Sequence, residues 1–342
     1  MTIHGPYQRY QESLATEQER LDQTAILWDY NYKLPHSLDS RPFHLGMISM
    51  GAVLNVDAWC VDGLPDDQLL ELIAHKKVFI INLFNANGLV QRLRQLCPDK
   101  VICVSPDFTI EQVDVGHRGL TWDAVLPEIR AADYILGRTT QNAQYYGLVA
   151  DKPFYYLPIP IGPKSYFDQF QNTTLENYFM IVGHSWEATY RQNLIVAREI
   201  QRETGLMCLY VNARDGVEAE INAIGVEVEL HGYMDFVMVM YKTSRAQFVL
   251  DLYQAHTIGR VELTSYYAGT PCIGSTTTGA THPLKFAPLD LSGPIKCGIE
   301  LYRIPSYRDN MVREGQLTLG LEHNFDRVRS HVEHLLRDIW PS

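Results

Sequence analysis

Apolar residues in this chain gather into short continuous runs, and between the runs they recur at intervals of three and four. In the first half the runs are His44–Ile48, Val78–Leu83, Val101–Val104 and Tyr134–Leu136, each of strand length. The stretches Asp67–Lys76, Leu89–Leu96 and Trp122–Ala131 carry helical spacing instead. Strands that are apolar throughout, alternating with helices, predict a parallel sheet covered on both faces. A second series follows the same rule. Tyr178–Val182 reads as a strand ending in Gly183-His184, Arg191–Glu203 as a helix, and Met207–Val211 and Val226–His231 as further strands. A helix starts over Asp235–Lys242, and Phe248–Leu252 is the next strand. The last pieces are a helix from Gly259-Arg260 to Gly269, a returning strand Thr270–Gly274, and a closing helix Leu321–Trp340 between Gly320 and Pro341.

Residues 1–42 are polar and mostly helical in pattern, with Leu14, Leu21, Ile26 and Trp28 as anchors. They predict a helical N-terminal extension. Pro153, Pro158, Pro160 and Pro163 crowd one passage, which suits an extended connection better than a helix or a central strand. The expected division is therefore an extension over 1–42, Rossmann-like domains over 43–160 and 161–320, and a closing helix over 321–342. The fold class this predicts is α/β, with two doubly wound domains facing a cleft. A chain of 342 residues is long for one core, which agrees with two.

Charge narrows the function classes. With 29 Lys and Arg against 40 Asp and Glu, the formal net charge is −11. A general affinity for nucleic-acid backbones needs a cationic surplus, which is missing here. The six cysteines show no C-x-x-C pair and no metal-finger spacing, so a reduced, cytoplasmic setting is expected. The N-terminus lacks the apolar core of a signal peptide, and no run reaches the length of a membrane span. His331-Val332-Glu333-His334 has a metal-like look, but on a closing helix that spacing is equally a solvated face. No metal is expected.

The chemistry concentrates between Gln254 and Ser275. A glycine at a helix start, Gly259, lets a ligand approach the backbone, and free N–H groups there favour an anion such as phosphate. Glu262, one turn in, can accept hydrogen bonds from sugar hydroxyls. These parts suggest a sugar-nucleotide site, although Glu262 also suits a glutamate resting on a helix dipole. Arg260 and Arg191 can clamp a diphosphate, or simply be solvated arginines. Asn212 ends a strand of a doubly wound sheet, where ligands gather, or it caps the next helix.

The second half resembles the nucleotide-binding domain of GT-B glycosyltransferases, in particular the retaining group whose signature is Glu, seven residues, Glu. The counterpart is Gln254 and Glu262, followed by Ala268-Gly269-Thr270-Pro271. Ile181-Val182-Gly183-His184 with Arg191 matches the family's glycine turn and downstream cation, and His231-Gly232-Tyr233-Met234 its base-holding turn. Ala132–Leu136 and Leu157–Ile161 resemble the end of the acceptor domain and the crossover. The resemblance implies a glycosyltransferase that needs no metal or cofactor, with a UDP- or GDP-linked donor sugar. It places Gly183, His184, Arg191 and the Gly259-Arg260 start at the diphosphate, Glu262 at the ribose, Tyr233-Met234 at the base, and His256-Thr257 beside Gln254. One departure stands out. Gln254 replaces a glutamate that faces the donor sugar, and an amide cannot stabilise developing positive charge as a carboxylate does.

On the acceptor side, Asp57, Asp107 and His117 are candidates for a base, and Gly51 is a glycine after the first strand that could let a nucleotide sugar approach. No G-x-G-x-x-G fingerprint accompanies Gly51. The acceptor is a glycan, a lipid-linked sugar, a small molecule or a modified nucleic-acid base. Two other readings stand beside transfer: a sugar-nucleotide epimerase of the same fold, and a binding protein that has lost the chemistry.

Overall fold

The computed structural model describes residues 16–28, 50–51, 54–160, 167–171, 174–183, 188–213 and 216–340. The chain forms two compact units, Met1–Pro160 with Phe325–Ser342, and Ile161–Asn324.

Among the described residues the first unit holds six parallel strands: β1 (Thr24–Trp28), β2 (Asp57–Cys60), β3 (Val78–Leu83), β4 (Val101–Pro106), β5 (Tyr134–Gly137) and β6 (Phe154–Tyr156). Their order is β2-β1-β3-β4-β5-β6. Side chains alternate across the sheet. Phe79 and Ile81 therefore join one apolar layer, under helices Asp66–Ile73, Leu89–Leu96, Trp122–Ala131 and Thr140–Ala150. Val78 and Ile80 join the other, covered by Val328, Val332, Leu335, Leu336 and Ile339 of helix Phe325–Ile339.

Two expectations change here. Within the helical extension expected over 1–42, residues 24–28 are instead β1, an interior strand paired with both β2 and β3. All five residues of β1 are buried, because Ala25, Ile26, Leu27 and Trp28 are apolar in succession and fit a strand covered on both faces. Residues 16–22 are helical as expected, and tertiary pairing overrides the helical reading only at Ile26 and Trp28; Leu14 lies outside the described residues. The expected strand His44–Ile48 lies outside the described residues, as does most of the extension. Gly320 does not open the closing helix either. It lies inside helix Pro305–His323, and the break falls at Asn324.

The described residues of the second unit also form six parallel strands: β7 (Tyr178–Val182), β8 (Met207–Val211), β9 (Val228–His231), β10 (Val249–Asp251), β11 (Cys272–Ser275) and β12 (Lys285–Phe286). The order β12-β11-β10-β7-β8-β9 is that of a dinucleotide-binding sheet. The chain winds outward from β7 to β9, then returns to lay β10 on the other side of β7. Ligands of such sheets bind beyond the carboxyl ends of the strands at this reversal. Helices Ala188–Thr204 and Ser292–Arg303 cover one face, over Phe179, Ile181, Phe248 and Leu250. The Phe179 and Phe248 rings stack with centroids 5.1 Å apart.

Candidate functional site

The reversal point is built from the ends of β7 and β10, which pair through Leu250 and Ile181. Gly183 closes β7 at φ +130°, a conformation that favours glycine, with open space where a side chain would be. His184 lies outside the described residues. At the end of β8, Asn212 adopts φ +57°, and its Oδ1 accepts the Met234 N–H at 2.7 Å. Its own N–H donates to the Gly232 carbonyl at 3.3 Å. Asn212 therefore holds the turn that presents Tyr233, whose side chain is 74% exposed. The helix that follows Asn212 in the chain, Glu218–Ile224, has Val217 at its N-cap and no side-chain cap, so Asn212 does not cap it.

Beyond β10 the chain passes Tyr253, whose N–H donates to Ser275 Oγ at 2.8 Å, and the half-buried Gln254, His256 and Thr257. Thr257 bridges to Thr278, and its carbonyl accepts the Gly279 N–H at 2.7 Å. Gly259 then caps helix Arg260–Tyr267 at φ +76°. A side chain there would meet Glu262 Oε2 at 2.8 Å and the Cβ atoms of Thr278 and Ala280 at 3.0 Å. Glycine is required by both conformation and space. The first-turn N–H groups and the half-buried Arg260 lie at this start.

Glu262 does not sit as expected. It is fully buried, and its oxygens are met by protein donors: the Ser275 N–H at 3.3 Å, Thr278 Oγ1 at 2.7 Å and His282 Nε2 at 3.0 Å. A ribose ligand needs an oxygen open to the ligand, and Glu262 has none open. Its carboxylate instead lies against β11, where Gly274 leaves it room. The helix face left accessible carries Arg260, Val261 and Thr264. Thr264, which the sequence did not single out, is half-buried on that face and donates its hydroxyl to the Arg260 carbonyl at 3.0 Å.

Arg191 lies on an exposed helix face, 63% exposed, with Glu220 at 3.3 Å. In the first unit, Asp57 begins β2, so it lies at the amino edge of the sheet, opposite the carboxyl ends. It pairs there with Lys76 at 2.5 Å. That overturns its expected place as an acceptor base. Gly51 is tight for a protein reason, since a side chain there would meet the Ala58 methyl at 2.8 Å. His117 falls in the turn His117–Gly119, half-buried. Asp107 does follow β4 at the carboxyl edge, but it is ion-paired with Arg138, which also donates to Asn82 Oδ1. Arg138 thus ties together the ends of β3, β4 and β5. A carboxylate held by a guanidinium is a weaker base than a free one.

Among the described residues, no group of three or more His, Cys, Asp or Glu is placed to hold a metal ion. No described helix is long and apolar enough to cross a membrane. All six cysteines are free thiols, and five are buried. Of the closing-helix cluster, Glu333 pairs with Arg329 at 2.8 Å and His334 lies 3.9 Å from Asp338.

No family model and no curated protein matches the sequence. Solved structures do match the architecture. Anabaena HepE in complex with UDP and glucose superposes with a TM-score of 0.63 at 8% identity, over 93% of this chain and 100% of that one. The E. coli structure described as trehalose-6-phosphate bound with UDP-2-fluoro glucose gives 0.64 at 12% identity, over 100% and 98%. A UDP-forming trehalose-phosphate synthase from Burkholderia xenovorans gives 0.61 at 14% identity, over 81% and 77%. The chain has the GT-B fold. At these identities the likeness concerns architecture, two α/β units with six parallel strands each.

Proposed function

We propose that this GT-B chain is a glycosyltransferase that moves a sugar from a UDP- or GDP-linked donor to an acceptor hydroxyl. The carrying observation is the reversal point of the second sheet, where the Gly183 turn follows β7 and the loop after its partner β10 leads to the Gly259 helix start. Backbone N–H groups at such places suit a diphosphate. Support also comes from the similar folds solved with UDP or a UDP-sugar.

In this reading the nucleobase rests on the Tyr233-Met234 turn that Asn212 holds in place. Arg260 and the helix start carry the diphosphate, and Arg191, exposed beside Glu220, is a second cation for it. Gln254, His256, Thr257 and Thr264 are the accessible polar groups for sugar and ribose hydroxyls. Glu262 supports the helix start from beneath. The positive charge for the departing nucleotide comes from arginine and backbone, so the proposed reaction draws on neither metal nor cofactor. Asp107 and His117 are the first-unit candidates for acceptor chemistry, with Asp107 oriented by Arg138.

A thermal-shift panel of UDP, GDP and their sugars tests the donor half, because a ligand of the native state raises apparent stability with its concentration over Kd. One nucleotide should raise the Tm, and Arg260→Ala should remove the rise. If no nucleotide moves the Tm, the reading is wrong. Product analysis separates the alternatives: an epimer formed without acceptor marks an epimerase, and binding without turnover or hydrolysis marks a protein that has lost the chemistry, a reading that Gln254 favours.

A further inference from the structure

The end of β10 holds an acidic residue that the site described above does not use. Asp251 is the last residue of the strand, at the reversal point, and is 5% exposed. It pairs across the parallel ladder with Gly274 of β11. Residues paired in adjacent strands project to the same face, so the side chain of Asp251 lies beside the space that Gly274 leaves empty. That space is taken by Glu262. A side chain on Gly274 would meet Glu262 Oε1 at 2.1 Å and its carboxyl carbon at 2.5 Å. Adjacent strands run about 5 Å apart, which brings the two carboxyl groups side by side in a buried setting.

Two like charges at that separation are not both tolerated when desolvated. The hydrogen bonds show which carboxyl keeps its charge. His282 Nδ1 accepts the Leu284 N–H at 3.3 Å, and an N–H can only donate, so the ring proton is on Nε2 and points to Glu262 at 3.0 Å. With the Thr278 hydroxyl and the Ser275 N–H, Glu262 receives three donors, an arrangement that suits a carboxylate. Burial, and then the charge of Glu262, push the pKa of Asp251 well up.

We infer that Asp251 and Glu262 form a buried acid pair with one charge and one proton, in which Asp251 holds the proton and donates a hydrogen bond to a nucleoside diphosphate bound at the carboxyl edge of the second sheet. The ligand half of this inference rests on the donor reading given above. The described titratable groups around the pair are Cys272 of β11, beside both carboxyls, and Tyr266 of the helix, His282 of the following loop and Lys285 of β12, on the Glu262 side. Burial raises the pKa of Tyr266 and of Cys272, so both are neutral at pH 7. Lys285 is spent on the Thr278 and Ala280 carbonyls.

The test uses the full chain and two readouts. Infrared titration needs no ligand: the wild type should show a protonated carboxyl band at pH 7 that Asp251→Asn removes. Because Glu128 is a second buried carboxyl with a raised pKa, the reading is the difference between wild type and Asp251→Asn; a difference spectrum without a protonated carboxyl band overturns the acid pair. Calorimetric titration with UDP and GDP reads the contact. Asp251→Asn keeps a neutral donor and should bind within about threefold of wild type, while Asp251→Leu should bind at least tenfold more weakly, the scale of one lost hydrogen bond to a charged group. Wild-type affinity should fall at high pH as Asp251 ionises, and that fall should vanish in Asp251→Asn. Equal affinity of Asp251→Leu and wild type, with the Tm of the Leu variant intact, overturns the contact. If neither nucleotide binds the wild type, the donor reading and the contact fail together, and the infrared band alone decides the pair.

Discussion

Replacing Gly274 by alanine places one methyl group where the Glu262 carboxylate now lies, 2.1 Å from Oε1 and 2.5 Å from the carboxyl carbon, with His282 Nε2 3.0 Å away. The nearest atoms belong to a side chain, but both its ends are constrained. The helix holds its backbone, and Ser275, Thr278 and His282 hold its oxygens. To regain ordinary contact the carboxylate must retreat by about 1 Å or more, which breaks the 3.3 Å bond from Ser275 and stretches the others. Overpacking of a filled interior destabilises by about 1–3 kcal/mol. Losing a hydrogen bond to a buried charge adds about 1.5–3 kcal/mol. Together the effect is about 3–5 kcal/mol. At roughly 2–4 °C per kcal/mol for a unit of this size, the second unit's transition should fall by about 10 °C. Differential scanning calorimetry measures it. Gly232→Ala is the control, since a side chain at Gly232 meets nothing within 4 Å. If the two variants melt within about 2 °C of each other, the account of Glu262 as an internally held carboxylate is refuted.

Arg138→Met leaves Asp107 without its guanidinium at a site where the carboxylate is 14% exposed, so a loss of about 3 kcal/mol is expected in urea unfolding, and a neutral outcome would contradict the tie across β3, β4 and β5. Trp28→Ala, in a strand buried throughout, should lose about 3–5 kcal/mol, and the amides of Thr24–Trp28 should exchange as slowly as those of β3; fast exchange would restore the helical extension. Glu128 lies buried between helices with its Oε2 accepting the Val90 N–H at 2.8 Å, and burial raises its pKa from 4.5. The folded state then binds more protons than the unfolded one above that value, so this group favours folding at low pH and loses stability as pH rises through its raised pKa. Glu128→Gln should flatten that part of the urea midpoint profile, and an unchanged slope would show that the group does not titrate there.

Strands β3, β4, β5, β7 and β8 were legible because a strand covered on both faces is apolar at every position, and no helix of that length is needed to explain the run. β1 was not. It is short and follows polar helical sequence, and its identity as a strand depends on β2 and β3, which pair with it from some thirty to more than fifty residues away. β6 hid among prolines, as an edge strand can. The turns that hold the candidate site, Gly183 and Gly259, were marked by glycine and read correctly as backbone features. Side-chain direction was the limit. Polarity alone cannot show whether Glu262 faces a ligand or the interior, because the answer lies in Gly274, Thr278 and His282, twelve to twenty residues along the chain. Asp57 failed for the same kind of reason, since a residue count does not reveal which end of a strand is the carboxyl edge.

The first unit is interrupted by the second and finished by helix Phe325–Ile339. During synthesis the apolar layer of Leu21, Ile26, Val78, Ile80 and Leu136 is made early, while the helix that covers it is made some two hundred residues later. At a ribosome pace of about 5–20 residues per second, that layer waits for ten seconds or more with one face open. The unit begun first is therefore completed last. A fragment ending at Pro160 keeps every strand of its sheet yet leaves a greasy side bare, and its remedy is to supply residues 325–339 as a separate peptide, not to redesign the sheet.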